Sequence, residues 1–194
     1  MKQFRWRSAS GRGLEHLVFE RNEATMTARS VVISDEGFAC RYEVDLDNDW
    51  CTRRVYVALI GVGQSCELFS SGAGAWKVNG QAAPDLAEAI DTDITVTPFT
   101  NTLPIRRLSL EIGQSRDIVT AYVALPSFEV FPDPQRYTRL SAFTYLFESR
   151  DSDFRRELTV DADGFVTDYA GLFSREVVTA TRNEYPKGGE MISL

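Results

Sequence analysis

The chain has 194 residues, of which 43% are hydrophobic and 25% are charged, a composition that suits one folded domain with a sizeable core. Its net charge of −7 argues against nucleic acid or an anionic membrane surface as the main partner. No apolar run approaches the ~20 residues of a membrane-spanning helix, so no integral membrane segment is expected. We therefore predict a single domain over residues 1–194.

The N-terminal residues and the cysteines both favour the cytoplasm. Residues 1–7 are charged and lack the apolar core of a signal peptide. The three cysteines, Cys40, Cys51 and Cys66, are an odd number and do not have the spacing of a disulfide framework. Both observations predict a cytoplasmic protein in a reducing compartment.

Alternation of apolar and polar residues predicts an all-β, mainly antiparallel protein. Residues 40–46 alternate strictly, whereas residues 54–60 are apolar on both faces, as in a central strand. The pair Asn79-Gly80 is a strong β-hairpin signal, and residues 161–164 suit another turn. Further strands are predicted near residues 3–8, 14–21, 25–33, 65–70, 74–78, 91–96, 105–112, 117–125, 137–149, 154–160 and 165–169.

Two segments depart from simple alternation. One short helix is predicted near residues 84–90, because Pro84 fits a first helical turn and good helix formers follow it. The proline-rich residues 125–134 are apolar, and we predict that they form an edge strand or a covering loop.

Residue types that serve common catalytic and metal sites are scarce. His16 is the single histidine and lies in a strand pattern. The cysteines lack the spacing of a zinc-ligand pair, and no glycine-rich phosphate-binding loop is present. Asp91 and Asp93 share one face of a predicted strand, which leaves open an ion-paired role or a role in catalysis. We predict no catalytic residue, no metal and no cofactor.

Residues 97–108, which read TPFTNTLPIRRL, are the most unusual stretch of the chain. Pro98 and Pro104 each fix the backbone, and each disfavours a helical conformation in the residue before it. This pattern predicts an extended segment that leads into a strand near Pro104.

Strand periodicity gives the two arginines of this stretch different positions. Arg106 shares the apolar face with Leu108 and Leu110, whereas Arg107 points outward. An unpaired guanidinium in an apolar interior is very costly, so Arg106 must meet an acid, a polar ligand or water. We predict that it either forms a structural clasp with Asp91 and Asp93 or contacts a ligand.

Several motifs resemble those of a bacterial family of glycolipid-binding proteins, formerly a domain of unknown function. They are WKVNG at 76–80, DL at 85–86, DTD at 91–93, residues 97–108, QRYT at 135–138, DADGFVTDY at 161–169 and LF at 172–173. The resemblance runs nearly end to end. It implies a spiral β-roll, a curled and half-barrel-like antiparallel sheet, and it implies no catalytic residues.

The resulting hypothesis is a non-enzymatic protein that holds a glycolipid or another amphipathic small molecule on the interior side of the roll. We predict Arg106, Asn101 and Trp76 near the polar head of the ligand, and Phe99 and Tyr137 on the walls.

Two other functions stay open from the sequence. One is a partner-binding or structural module with a filled core, which would dock a peptide on a sheet edge near residues 125–134. The other is an enzyme acting on carbohydrate or lipid through Asp91 or Asp93. The identity of the ligand and the oligomeric state are open as well.

Overall fold

The computed structural model describes residues 1–72 and 74–176, so the last part of the predicted domain lies outside the described residues. The strands are β1 Lys2–Ser8, β2 Leu14–Arg21, β3 Met26–Ile33, β4 Ala39–Leu46, β5 Thr52–Leu59, β6 Ser65–Ser70, β7 Trp76–Val78, β8 Gln81–Ala82, β9 Asp91–Ile94, β10 Ser115–Val123, β11 Val130–Arg139, β12 Thr144–Ser149, β13 Arg155–Val160, β14 Val166–Tyr169 and β15 Phe173–Arg175. One short α-helix, α1 Thr102–Leu108, accompanies them.

All of these strands belong to one open sheet, and its neighbours are antiparallel except for β9 and β10, which run parallel. Across the sheet, the strands run from β8 at one edge down to β1, which is followed by β15 and then down to β9 at the other edge. The N-terminal strand β1 therefore lies beside β15 in the middle of the sheet, where Trp6 pairs with Arg175. The all-β, mainly antiparallel and curled fold predicted from the sequence is confirmed.

Local sequence signals account for most strands and turns. In β4, Cys40, Tyr42, Val44 and Leu46 are buried, and the residues between them are more exposed, as their alternation predicts. Asn79 and Gly80 have φ angles of 48° and 82°, and a type I′ hairpin turn requires positive φ at both positions. The hairpin between β7 and β8 thus follows directly from this dipeptide.

Two predicted segments differ in detail from the structure. The predicted strand over residues 137–149 is a hairpin, formed by the end of β11 and by β12. The predicted helix near residues 84–90 is a single 3-10 turn, Pro84–Leu86. Hydrophobic spacing alone defines neither the loop that divides the first segment nor the early end of the second.

The proline-rich segment ends in strand β11, whose first half pairs with β10 alone. Pro132 and Pro134 lie in that half. Because proline has no N–H group, this edge is a poor template for the addition of another strand. The arrangement gives little support to a partner-binding module that uses residues 125–134.

The predicted strand over residues 105–112 is wrong, because the chain there forms a 3-10 turn, Phe99–Asn101, followed directly by α1. Pro104 is the third residue of α1, within the first turn, where backbone N–H groups have no partner inside the helix. Its missing N–H therefore costs little, and its fixed φ suits the helix. Ser109, with a φ of 48°, ends α1 in the left-handed conformation.

This segment runs through the interior of the curled sheet. Ten consecutive residues, 96–105, are buried. The ring of Phe99 lies 6.2 Å from that of Phe19 and 6.4 Å from that of Phe165, measured between centroids. The roll is consequently filled at this level, and any ligand must use the space on either side of the segment.

Strand β9, which forms one edge of the sheet, lies against β5. The backbone N–H of Thr92 donates to Thr52 Oγ1 at 3.0 Å, and the N–H of Thr52 donates to the carbonyl of Ile90 at 3.2 Å. These bonds hold one end of the open sheet close to the other half. Within the described residues, the structure contains no helix with the length and apolar character that crossing a membrane requires.

Candidate functional site

A cleft of about 370 Å³, named here the aromatic cleft, opens between the buried segment and the strands β10 to β12. Its walls are the rings of Tyr122, Phe131, Phe147, Phe154, Tyr169 and Phe173. Its polar lining includes Asp93, Thr97, Asn101, Asp133, Ser149, Asp151 and Ser152. The cleft thus combines aromatic surfaces with a limited set of hydrogen-bonding groups, as small-molecule sites generally do.

A buried glutamine links two carboxylates at the base of the aromatic cleft. Gln135 Nε2 donates to Asp93 Oδ2 at 2.8 Å and to Asp133 Oδ2 at 2.6 Å, and Thr100 Oγ1 donates to Asp93 Oδ1 at 2.7 Å. Burial raises the pKa of Asp93, and burial together with the nearby charge of Asp93 raises the pKa of Asp133 to about 6. Among the described residues, no group of three or more His, Cys, Asp or Glu side chains is placed to hold a metal ion.

Two residues predicted from the sequence meet at this cleft. Asn101 lines it, and the hydroxyl of Tyr137 donates to Asn101 Oδ1 at 2.8 Å from behind. Tyr137 is itself 1% exposed, so it supports the lining residue and does not form an open wall. A ligand in the cleft would reach Asn101 directly and Tyr137 only through it.

The other two predicted wall and head-group residues lie in the core. Trp76 is 2% exposed and donates from Nε1 to the carbonyl of Ala89 at 2.9 Å. Phe99 is fully buried between aromatic rings of the sheet. Neither residue lines any of the three clefts described here, so the structure does not bring the five predicted ligand-binding residues together.

The clasp predicted for Arg106 with Asp91 and Asp93 is wrong, because the neighbouring Arg107 forms the ion pair with Asp91. Arg107 donates to both carboxylate oxygens of Asp91, and its shortest contact, from Nη2 to Oδ2, is 2.6 Å. Asp91 is fully buried, and Asp93 bonds to Thr100 and Gln135, so neither acid meets Arg106 in the way predicted. The correction follows from the helix, because successive side chains of a helix point about 100° apart and those of a strand alternate.

Arg106 lines a different cleft, of about 390 Å³, named here the Arg106 cleft. Its guanidinium carbon lies 5.1 Å from the ring centroid of Trp50, a cation–π distance, and its Nε is buried without a hydrogen-bond partner. Gly164 packs closely beside it, since a Cβ there would lie 2.6 Å from Arg106 Cδ. The role of Arg106 toward a ligand stays a prediction.

A third cleft, of about 240 Å³, contains a buried acid that the sequence analysis did not single out. This Glu15 cleft is lined on its apolar side by Trp6 and Val32. It shares Thr95, Leu172 and Phe173 with the aromatic cleft, so the two spaces adjoin.

Glu15 is only 2% exposed, and its two carboxylate oxygens differ sharply in their surroundings. Oε1 accepts from Ser30 Oγ at 2.8 Å and from the hydroxyl of Tyr42, whereas Oε2 is buried with no hydrogen-bond partner among the described residues. Burial raises the pKa of Glu15 to about 7, because a buried carboxylate loses its hydration.

A sequence signal exists for Glu15, as it does for Asp93, whereas there is none for Asp133 and Gln135 beside the aromatic cleft. Period two places Glu15 on the same face of β2 as Leu17 and Phe19, both of which are buried. An acid on the apolar face of a strand is therefore visible in the sequence. Asp133 and Gln135 come together with Asp93 only through the sheet order, which no local pattern encodes.

The fold and the clefts together define a class: an open, curled β-sheet protein with small clefts on either side of a buried segment. The family model described as "Putative glycolipid-binding" matches residues 3–175. A crystal structure of a DUF1089 family protein from Pseudomonas aeruginosa is similar, with 33% sequence identity and a TM-score of 0.73, over 84% of this chain and 92% of that one. A search of the curated proteins gave no match. The chain belongs to the family that this model describes, as the resemblance of its motifs indicated.

Proposed function

We propose that this protein binds an amphipathic ligand with a sugar head group in the aromatic cleft and does not change it chemically. The observation that carries the proposal is the convergence of aromatic walls and one hydrogen-bonded polar network in a cleft of about 370 Å³. The description of the family supports the same class of ligand.

The polar groups of the cleft are mainly hydrogen-bond acceptors. The carboxylates of Asp93 and Asp133 and the side chain of Asn101 suit the hydroxyl groups of a sugar, which donate. Tyr122 and Phe131 pack with ring centroids 5.1 Å apart, and their faces offer a surface for the apolar side of a sugar ring or for an alkyl chain. Both halves of an amphipathic molecule therefore find complementary groups.

The size of the cleft limits what it can hold. Its volume of about 370 Å³ is near the lower end of the ~300–1,000 Å³ of ligand sites. The adjoining Glu15 cleft adds about 240 Å³ beyond Leu172 and Phe173. The aromatic cleft and the Glu15 cleft together have room for a head group and a short stretch of alkyl chain, whereas a long lipid tail would lie outside them.

The proposal is tested by titrating n-octyl β-D-glucoside, below the concentration at which it forms micelles, into ¹⁵N-labelled protein. Amide signals of residues in the aromatic cleft should shift, and Phe131→Ala should weaken binding about tenfold because it removes a wall. Phe143→Ala is a matched control, because Phe143 is an exposed phenylalanine that lines the Arg106 cleft.

An unchanged affinity in Phe131→Ala together with a loss in Phe143→Ala would contradict the proposal and would place the ligand beside Arg106, where the sequence analysis put the head group. Absence of binding to the unaltered protein, with no lipid recovered by organic extraction, would contradict it outright.

One observation favours a second candidate function, an enzyme acting on glycosides. Asp93 and Asp133 accept hydrogen bonds from the same nitrogen of Gln135, so their oxygens lie within about 5 Å of each other, a separation used by retaining glycosidases. Asp91, which the sequence analysis offered for this role, is fixed by Arg107. Release of 4-nitrophenol from 4-nitrophenyl glycosides, lost in Asp133→Asn, would establish this function in place of simple binding.

We also propose that the protein functions in the cytoplasm. Cys40, Cys51 and Cys66 are all free thiols in the structure, which is usual in a reducing compartment. Fractionation of cells that express a tagged chain, with marker proteins for each compartment, tests this location.

A further inference from the structure

We propose that the Glu15 cleft binds a protonated primary amine, with Glu15 Oε2 as the acceptor. Because the two clefts adjoin, the amine would form one end of the ligand whose remainder occupies the aromatic cleft. The inference therefore rests on the proposed function and names the head-group chemistry that the ligand carries.

The unpartnered oxygen of Glu15 is the first observation behind this inference. Ser30 and Tyr42 both donate to Oε1, whereas Oε2 is buried with no hydrogen-bond partner among the described residues, and Glu15 itself lines the cleft. A buried polar atom without a partner is costly, whereas a carboxylate that meets a charged donor forms one of the stronger hydrogen bonds in proteins. An ammonium group in the cleft would supply that donor.

The charge of the lining is the second observation. The acids that line the two clefts are Glu15, Asp35, Glu36, Asp93, Asp133 and Asp151. Within the part of the chain that the structure describes, no lysine, arginine or histidine lines either cleft. Such a surface repels a phosphate or sulfate head group and attracts a cation.

Among the described residues, the side chains that hydrogen-bond to Glu15 are the uncharged Tyr42, Thr97 and Ser30, so they add no competing cation. Tyr42 and Cys40 face it from β4, and the negative charge of Glu15 contributes to the raised pKa of both. Asp35 and Glu36 lie at the edge of the cleft in the turn after β3. With Trp6 and Val32 as apolar walls, the cleft has space for an ammonium and a short alkyl stem.

The test compares three probes with the same chain length at pH 8, where Glu15 is ionised: n-octylammonium chloride, 1-octanol and sodium octyl sulfate, all below micellar concentrations. We expect octylammonium to bind about tenfold more tightly than octanol, with octyl sulfate weakest. Glu15→Gln should lower the affinity for octylammonium about tenfold and leave octanol and octyl glucoside unchanged. Glu23→Gln is the matched control, since it makes the same change at an exposed glutamate that lines neither cleft.

A measurement on the unaltered protein covers the case in which Glu15→Gln does not fold. The ¹³C signal of the Glu15 carboxyl group should shift when octylammonium is added and should stay in place with octanol. Equal affinity for octylammonium and octanol, or a Glu15 signal that does not respond, would overturn the inference.

The outcomes separate this inference from the function on which it rests. Binding of octyl glucoside at the aromatic cleft without any preference for the amine would overturn the amine site alone. Binding of octylammonium that depends on Glu15, with no binding of octyl glucoside, would support the amine site and contradict the sugar head group.

Discussion

The adjacent arginines of α1, Arg106 and Arg107, contact different partners because they lie on a helix and not on a strand. Arg107 lies 16% exposed against the fully buried Asp91, whereas Arg106 lies over Trp50. Removing one partner of a buried ion pair leaves the other charged and unsolvated, while removing a cation–π contact loses only a modest attraction.

We therefore expect Arg107→Met to destabilise the protein by about 3–5 kcal/mol and Arg106→Met by about 1 kcal/mol. Urea denaturation monitored by tryptophan fluorescence measures both. Two variants of equal stability would show that Asp91 does not depend on Arg107.

Glu15 should make the stability of the protein depend on pH. Its pKa is about 7 in the folded protein against 4.5 for the ordinary group, so the folded state binds more protons between those values. The contribution of this raised pKa to the free energy of unfolding is complete below about pH 4.5 and is lost as the pH rises through 7. Tyr42 and Cys40 stay protonated over this range, because burial and the charge of Glu15 raise their pKa values, that of Cys40 to about 12.

In Glu15→Gln, the loss of stability caused by the ionisation of Glu15 at rising pH should disappear. The stability of the variant relative to the unaltered protein should improve by roughly 3 kcal/mol between pH 4 and pH 8, since one pKa unit corresponds to about 1.4 kcal/mol. Urea denaturation at both pH values measures the difference. A pH-independent difference would mean that Glu15 titrates normally.

At the scale of elements, alternation and turn residues predicted the strands well but misread the central segment. The strands over residues 14–21 and 40–46 needed only local period-two patterns, and their bounds agree with the structure within a residue. Residues 97–108 gave the opposite result. Their two prolines restrict φ equally well in a strand edge and in a first helical turn, and the choice depends on the interior into which the segment packs.

The end of α1 offers a test of that helix. Ser109 has a positive φ of 48°, a conformation that favours glycine, so Ser109→Gly should stabilise the protein by up to about 1 kcal/mol. Ser115→Gly, at a position of β10 with ordinary backbone, should destabilise it by a similar amount. Thermal unfolding followed by circular dichroism compares the two, and a loss of stability in Ser109→Gly would contradict the helical end.

Only part of the candidate site could be predicted from the sequence. Asn101 and Asp93 came from the unusual composition around residues 91–108, and both line the aromatic cleft. The rest of the cleft comes from β10, β11, β12 and the residues near β15, which the sheet order brings together. Long-range strand pairing is not encoded in any local pattern, so these residues could not be assigned to one site in advance.

At the scale of the whole molecule, the buried segment connects the two halves of the sheet. Phe99 contacts Phe19 of β2 and Phe165, which directly precedes β14, while Asn101 bonds to β11 through Tyr137. A core residue with contacts of this kind should stabilise both halves at once.

Phe99→Ala should therefore cost about 3–5 kcal/mol, the usual range for a buried phenylalanine, and unfolding should still occur in one transition. Phe143→Ala, at a residue 52% exposed, should change stability by no more than about 0.5 kcal/mol. Coincident near- and far-ultraviolet circular dichroism curves measure the cooperativity. Two separated transitions would show that the halves unfold independently.

The pairing of β1 with β15 has a consequence for synthesis on the ribosome. Strands β1 to β8 are consecutive hairpins that can form as they emerge, but β15, the second partner of β1, is available only when residues 173–175 leave the exit tunnel. Until then β1 is an unpaired edge that contains Phe4 and Trp6. On the opposite face of β1, Arg5 and Arg7 are the kind of charged side chains that discourage pairing between nascent chains.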